Sequence, residues 1–129
     1  MATLQCTVVT PEGAILDLAA DSVVVPAWDG EVGFLPGHAR FLAKLGIGLL
    51  RVTHEGRTEQ MLVEGGFVQV ADDRVTVLTD TATHPSQINL REAEWSLDEI
   101  RGKGNGEEFA AAKNRVLTMK RVKDRFNRS

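Results

Sequence analysis

The side chains best suited to acid–base or nucleophilic work in this chain are three histidines and one cysteine. His38, His54 and His84 fall in separate turn-rich stretches with no HxH or HxxxH spacing, so they do not read as a metal site. Cys6 alternates with Leu4 and Val8, which makes it a small core residue rather than a nucleophile. As the only cysteine it also excludes an intrachain disulfide and a thiolate cluster. The carboxylate pairs Asp72-Asp73 and Glu107-Glu108 stand where a turn and a helix start are expected. No GxSxG, P-loop or GxGxxG occurs, and Gly30-Glu31-Val32-Gly33 and Gly46-Ile47-Gly48 lack the strand-to-helix context of a phosphate cradle. The expectation is a chain with no catalytic residue, no metal ligand and no cofactor. His38 alone lies in an apolar setting, where surface contact, a structural hydrogen bond and catalysis all remain open.

That setting is the stretch Trp28-Asp29-Gly30-Glu31-Val32-Gly33-Phe34-Leu35-Pro36-Gly37-His38. Its glycines and proline argue against regular structure, so it reads as a loop. Val32, Phe34 and Leu35 make the loop apolar, so it is partly buried or pressed against something. It is either a binding surface or a tight corner closing the core.

The 129 residues fit one ordinary domain with a small appendage, and 43% hydrophobic with 26% charged residues is a soluble globular composition. No apolar run approaches membrane-spanning length, and the N-terminus has no basic–apolar signal pattern. Membrane contact is therefore expected only through a partner. The net charge of −3 is unevenly laid out. Residues 1–85 hold five Lys/Arg against eleven Asp/Glu, whereas residues 113–129 hold seven against one. Lys113, Arg115, Lys120, Arg121, Lys123 and Arg125 thus form a basic tail that suits an acidic partner, anionic lipid or nucleic acid, or simply a solvated helix face.

Up to residue 85 the pattern is that of strands. Leu4, Cys6 and Val8 alternate with Gln5 and Thr7, and Ala14, Leu16 and Leu18 alternate with Ile15 and Asp17. Val23-Val24-Val25 precedes Pro26, which suggests a strand end or a sheet edge. Residues 41–45, 49–53, 58–64, 65–70 and 75–79 continue the series, with His54-Glu55-Gly56-Arg57 as a four-residue hairpin loop. The Gly65-Gly66 pair marks a bulge or a place where two sheets nearly touch, and Gly46 and Gly48 mark a bend or close packing. Short strands with turns every eight to twelve residues predict an N-terminal antiparallel β-sandwich or flattened barrel over 1–85.

Residues 86–129 predict a C-terminal two-helix hairpin, with helices over about 89–101 and 107–127. Asn89 with Glu92 forms a capping box, and Asn105 with Glu108 a second. Leu90, Ala93, Leu97 and Ile100 recur at helical spacing, as do Phe109, Ala112, Val116, Met119, Val122 and Phe126. Two narrow stripes suit two helices zipped antiparallel. With about five apolar residues per helix, the pair is marginal alone and suited to movement.

Gly30 to Ala39, Gly65-Gly66-Phe67-Val68-Gln69-Val70 and Val75 to Ala82, with the opening Cys6 to Gly13, resemble the epsilon subunit of F-type (proton- or sodium-translocating) ATP synthases. The resemblance runs from about residue 4 to 101 and implies the same plan of sandwich and hairpin. It implies a non-catalytic rotor subunit of the central stalk, linking the gamma subunit to the c-ring in ATP synthesis. Glu31, Val32, Gly33, Phe34, Leu35 and His38 would form the c-ring-facing loop, and His38 and Ala43 would lie toward gamma. The hairpin would inhibit ATP hydrolysis when extended, its cations Lys113, Arg115, Lys120, Arg121, Lys123 and Arg125 meeting the alpha/beta catalytic head. The implied location is peripheral, on the cytoplasmic side of the bacterial inner membrane or the stromal side of the thylakoid. Neither membrane insertion nor nucleic acid is part of that role.

One segment departs from the family. Some members bind ATP through an Ile/Leu-Asp-x-x-Arg-Ala segment at the start of the first helix. Here Ile88-Asn89-Leu90-Arg91-Glu92-Ala93 stands there, with Asn89 for the acid and Glu92 for the arginine, so ATP binding is not expected. The competing reading is a stand-alone binding module whose basic helix contacts nucleic acid or anionic lipid.

Overall fold

The computed structural model describes residues 2–101 and 106–128. The chain divides into two compact units, 1–83 and 84–129. The first is the β-sandwich that the alternating sequence predicts. Its strands are β1 (Leu4–Thr10), β2 (Gly13–Ala20), β3 (Ser22–Ala27), β4 (Gly30–Phe34) and β5 (Phe41–Lys44). β6 (Ile47–His54), β7 (Arg57–Glu64), β8 (Phe67–Ala71), β9 (Arg74–Leu78) and β10 (Ala82–Thr83) follow. One sheet has the order β2-β1-β9-β8-β5 and the other β10-β7-β6-β3-β4. Neighbouring strands are antiparallel except β1 and β9, which run parallel.

Alternation decides what faces inward. Leu4, Cys6 and Val8 of β1 meet Val75 and Val77 of β9 and Val68 and Val70 of β8 in the core. Val23 and Val25 of β3, Leu50 and Val52 of β6 and Phe34 of β4 complete it from the other sheet. β-branched residues suit this pleated packing, and each fully buried side chain stabilises the fold by roughly 1.5–3 kcal/mol. Burial, and secondarily the charge of Asp17, push the Cys6 thiol up to about 12, so at neutral pH it stays protonated and unreactive. It is a core residue, as its alternation indicates.

The chain passes from one sheet to the other at Gly65-Gly66, between β7 and β8. The Gly65 amide donates to Gly46 O at 3.1 Å, and the Leu45 amide to Gly66 O at 2.8 Å. The Thr79 hydroxyl lies 2.8 Å from Gly65 O and 3.0 Å from Thr81 O and donates between them. Gly48 makes room for a ring: a Cβ there would lie 2.7 Å from the Pro26 Cβ. The close packing read from these glycines is present.

Two local expectations are corrected. The stretch after Trp28 is not a loop, because Gly30–Phe34 pairs with β3 from Ala27↔Gly30 to Val23↔Phe34. Glycine lowers strand preference, but inward-facing Val32 and Phe34 restore it through burial. The β6–β7 connection is two residues, not four. His54 pairs with Arg57, while Glu55 (φ 50°) and Gly56 (φ 74°) take the positive φ values of a type I′ turn. Pro26 stands near the end of β3, as its position suggests, beyond the Ser22–Val24 run that pairs with β6, so its missing N–H interrupts no bond of that ladder.

The helical unit opens with a short 3-10 turn at Pro85–Gln87, then α1 (Leu90–Ile100) and α2 (Gly106–Arg128). Asn89 Oδ1 accepts from the Glu92 amide at 3.0 Å, which makes it the N-cap expected. The second cap, at Asn105, lies outside the described residues. Ala93, Val116, Met119 and Val122 are buried, and Trp95 and Leu117 point to solvent. Lys120 Nζ reaches Glu94 Oε1 at 3.0 Å, and Lys123 Nζ donates to Ile88 O at 3.2 Å. The Arg101 guanidinium lies 5.8 Å from the Phe109 ring centre, within cation–π range.

Candidate protein-contact surfaces

The residues singled out around β4 do not form one surface. Trp28, 70% exposed, sits in the β3–β4 turn, and its amide donates to Lys44 O at 3.0 Å. Leu35, 63% exposed, sits beyond the other end of the strand. Between them, Glu31 points outward and meets Arg51 Nη2 with both carboxylate oxygens at 3.3 Å. Gly33 is exposed, Val32 packs against the core and Phe34 is buried in it. Val32 and Phe34 are therefore not contact residues of an open loop, since alternation turns both inward.

The turn after β4 is rigid. Leu35-Pro36-Gly37-His38 closes with the His38 amide donating to Leu35 O at 3.1 Å. Pro36 precedes Gly37, whose φ of 87° is the value a type II turn demands at its third position. The Gly37 amide donates to Asp73 Oδ1 at 2.7 Å, which ties this turn to the one between β8 and β9. That second turn is Asp72-Asp73, both at positive φ, so this carboxylate pair serves turn geometry as expected. His38 is half-buried. Its Nδ1 donates to Ala39 O at 2.7 Å, and its ring stands edge-on to Phe34 at 4.9 Å and to Phe41 at 6.0 Å.

Ala43, expected toward a partner, packs against the core instead; its neighbours Leu42 and Lys44 face out. Leu42 is 71% exposed and belongs to a surface that the sequence reading missed. Register places Lys44 opposite Phe67, Phe67 opposite Leu78 and Leu78 beside Val9, so one row crosses β5, β8, β9 and β1 on the outer face. Phe67 and Leu78 are about half exposed. The signal was available, because inward Val68, Val70, Val75 and Val77 force Phe67 and Leu78 outward.

The other histidines stand apart from this row. His54 Nε2 lies 3.5 Å from Glu59, and His84 Nδ1 accepts from the Ser86 amide at 3.1 Å beside the Phe126 ring. Among the described residues no group of three or more His, Cys, Asp and Glu is placed to hold a metal ion. Of the tail cations, Lys113, Arg121 and Arg125 are exposed and Arg115 is half-buried, while Lys120 and Lys123 make the contacts described above. A Val-filled sandwich with an apolar row open on its outer face is one unit of the chain, and a two-helix hairpin is the other.

Comparison with known proteins places that architecture in a family. The family described as ATP synthase, Delta/Epsilon chain, beta-sandwich domain matches residues 3–85. The ATP synthase epsilon chain of Desulfitobacterium hafniense is 42% identical over 91 residues, covering 70% of this chain and 69% of the relative. That of Bacillus pumilus is 33% identical over 127 residues, covering 98% and 97%. A chain in the Euglena gracilis mitochondrial ATP synthase assembly of OSCP, F1 and c-ring shares the fold at a TM-score of 0.78 and 22% identity, covering 98% of this chain and 82% of its own. The chain belongs to the ATP synthase delta/epsilon family, as an epsilon-type subunit of an F-type ATP synthase.

Proposed function

We propose that this subunit joins the gamma subunit to the c-ring and turns with both, without chemistry of its own, and reaches the membrane only through that complex. The observation that carries the reading is the apolar row with Phe67 and Leu78, and Leu42 beside it, exposed on the outer face of the sheet. Such a face is unfavourable in water and is the core of an interface once covered. No helix among the described residues is long and apolar enough to cross a membrane. In this reading Glu31, Leu35 and His38 face the c-ring, and Leu42 and Lys44 take the gamma-facing part first given to Ala43. Affinity-tagged chain is expected to co-purify with gamma; a preparation with gamma present but not retained refutes the role.

The hairpin is the regulatory half of the proposal. Extended into the catalytic head, it presents Lys113, Arg121 and Arg125 to acidic segments there, an attraction that weakens with salt. Lys120 and Lys123 must first leave Glu94 and Ile88 O, so the closed hairpin competes for them. Truncation after residue 83 is expected to leave gamma binding intact and raise ATP hydrolysis by the complex; unchanged hydrolysis removes the inhibitory role.

Nucleotide is not what holds this hairpin closed. Asn89 Oδ1 is engaged by the Glu92 amide, and the exposed Glu92 carboxylate in the first turn of α1 repels phosphate. Calorimetric titration of the isolated chain with ATP is expected to give no heat in the micromolar range. A saturable micromolar isotherm overturns this.

A further inference from the structure

The crossover glycines border a feature that the stalk role alone does not explain. Gly66, Phe67, Leu78, Val9 and Pro11 line an open depression of about 430 Å³, with Lys44 and Asp80 also in its lining. A second depression of about 220 Å³ shares Thr10, Pro11 and Asp80 with it and adds Glu12, Ile15 and Ala82. The first is mainly apolar. The lining of the second includes two acidic residues, Glu12 and Asp80. Both share a backbone that is held firmly: the Thr79 hydroxyl braces Gly65 O and Thr81 O, and the Thr79 amide donates to Val9 O at 3.0 Å. A preformed pocket at the end of an exposed apolar row has the character of an interface anchor point, where a few well-enclosed side chains supply most of the binding energy.

We propose that the two depressions form one anchor socket for the stalk partner, taking a bulky apolar side chain in the larger and an adjacent lysine or arginine in the smaller. The inference rests on the stalk reading and specifies the chemistry of the partner's contact segment. Charge complementarity selects the occupant. Glu12 and Asp80 line the smaller depression, and residues 1–85 as a whole carry eleven acidic against five basic side chains. An acidic second segment would meet repulsion there, whereas a basic one is drawn in and fixes the direction in which the partner lies.

The test is the affinity of purified gamma subunit for the full-length chain, measured at low and high salt. Phe67→Ala and Leu78→Asp are each expected to raise Kd about tenfold or more. The pair Glu12→Lys with Asp80→Lys is expected to raise Kd to a similar extent at low salt and to reverse its salt dependence, so that added salt tightens binding. Arg74→Ala, at the other end of β9, leaves binding unchanged. Circular dichroism checks that each variant is folded, and Phe67→Ala removes only an outward ring if Leu78→Asp is not. If gamma binds the doubly reversed chain as it binds the wild type, the socket is wrong and the stalk role stands. If gamma does not bind the unaltered chain, both fall.

Discussion

Gly66→Ala is expected to abolish cooperative folding of the sandwich or to remove at least 3 kcal/mol, roughly, of its stability. A Cβ at this position would lie 1.9 Å from Leu78 O and 2.8 Å from the Thr79 Cα. Both are backbone atoms, so no rotamer change relieves the overlap; β9 itself must move. The φ of +107° is in addition one that an L side chain rarely adopts. Against a typical total stability of about 5–15 kcal/mol, such a loss is decisive. Gly65→Ala is the control. Its φ is +74°, and the nearest atom to a Cβ there is Asp80 Oδ2 at 3.7 Å. That substitution bears only the left-handed backbone penalty, about 1–2 kcal/mol. Urea unfolding of both variants separates the two effects. Equal midpoints for Gly65→Ala and Gly66→Ala would show that the contact with β9 does not constrain the crossover.

The crossover also shows what kind of information the sequence carries. A glycine pair inside an apolar run announces close approach, because a side chain there has nowhere to go. It does not announce what approaches. Likewise Leu4-Gln5-Cys6-Thr7-Val8 reads as a half-buried strand from local pattern alone, and its parallel pairing with β9 is invisible there. Pairing partners are chosen by tertiary packing across about seventy residues. The helices were the more legible half. Every residue of the two apolar stripes, from Leu90 to Phe126, is buried or half-buried, and Asn89 caps as its position promises. Helical periodicity ties a residue's face to its own neighbours, so less is left to the rest of the fold.

The proposed contact surface was legible in part. Turn-forming residues drew attention to Gly30–Gly37, and their frequency disguised a strand. The two exposed apolar side chains there, Trp28 and Leu35, lie off its two ends rather than together. Meanwhile Phe67 was read as part of a glycine motif rather than by parity. Counting outward from Val68 and Val70 puts its ring on the solvent side, where it faces Leu78 and Lys44 across the ladders. An apolar residue at an outward position of a strand is the stronger pointer to a partner, since burial in its own core cannot account for it.

The adjacent pair Phe34 and Leu35 turns that distinction into an expected result. Phe34→Ala is expected to destabilise the sandwich by about 3–5 kcal/mol. Its ring is 1% exposed, packs 5.5 Å from Phe41 and supports the edge of His38 at 4.9 Å. Removing it leaves a cavity and unseats His38, so the Leu35–His38 turn loosens even though Gly37 remains tied to Asp73. Leu35→Ala, one residue on, removes a side chain that already lies in water and is expected to shift stability by under about 0.5 kcal/mol. If that turn meets the c-ring as proposed, Leu35→Asp weakens retention of the c-ring by assembled complex at unchanged unfolding midpoint. Phe34→Ala instead lowers the midpoint and weakens retention through the loosened turn. Urea unfolding of the isolated variants, paired with c-ring retention by the assembled complex, resolves the two outcomes. A Leu35→Asp chain that retains the c-ring as the wild type does would remove this turn from the interface and leave the outer face of β5, β8 and β9 as the contact surface.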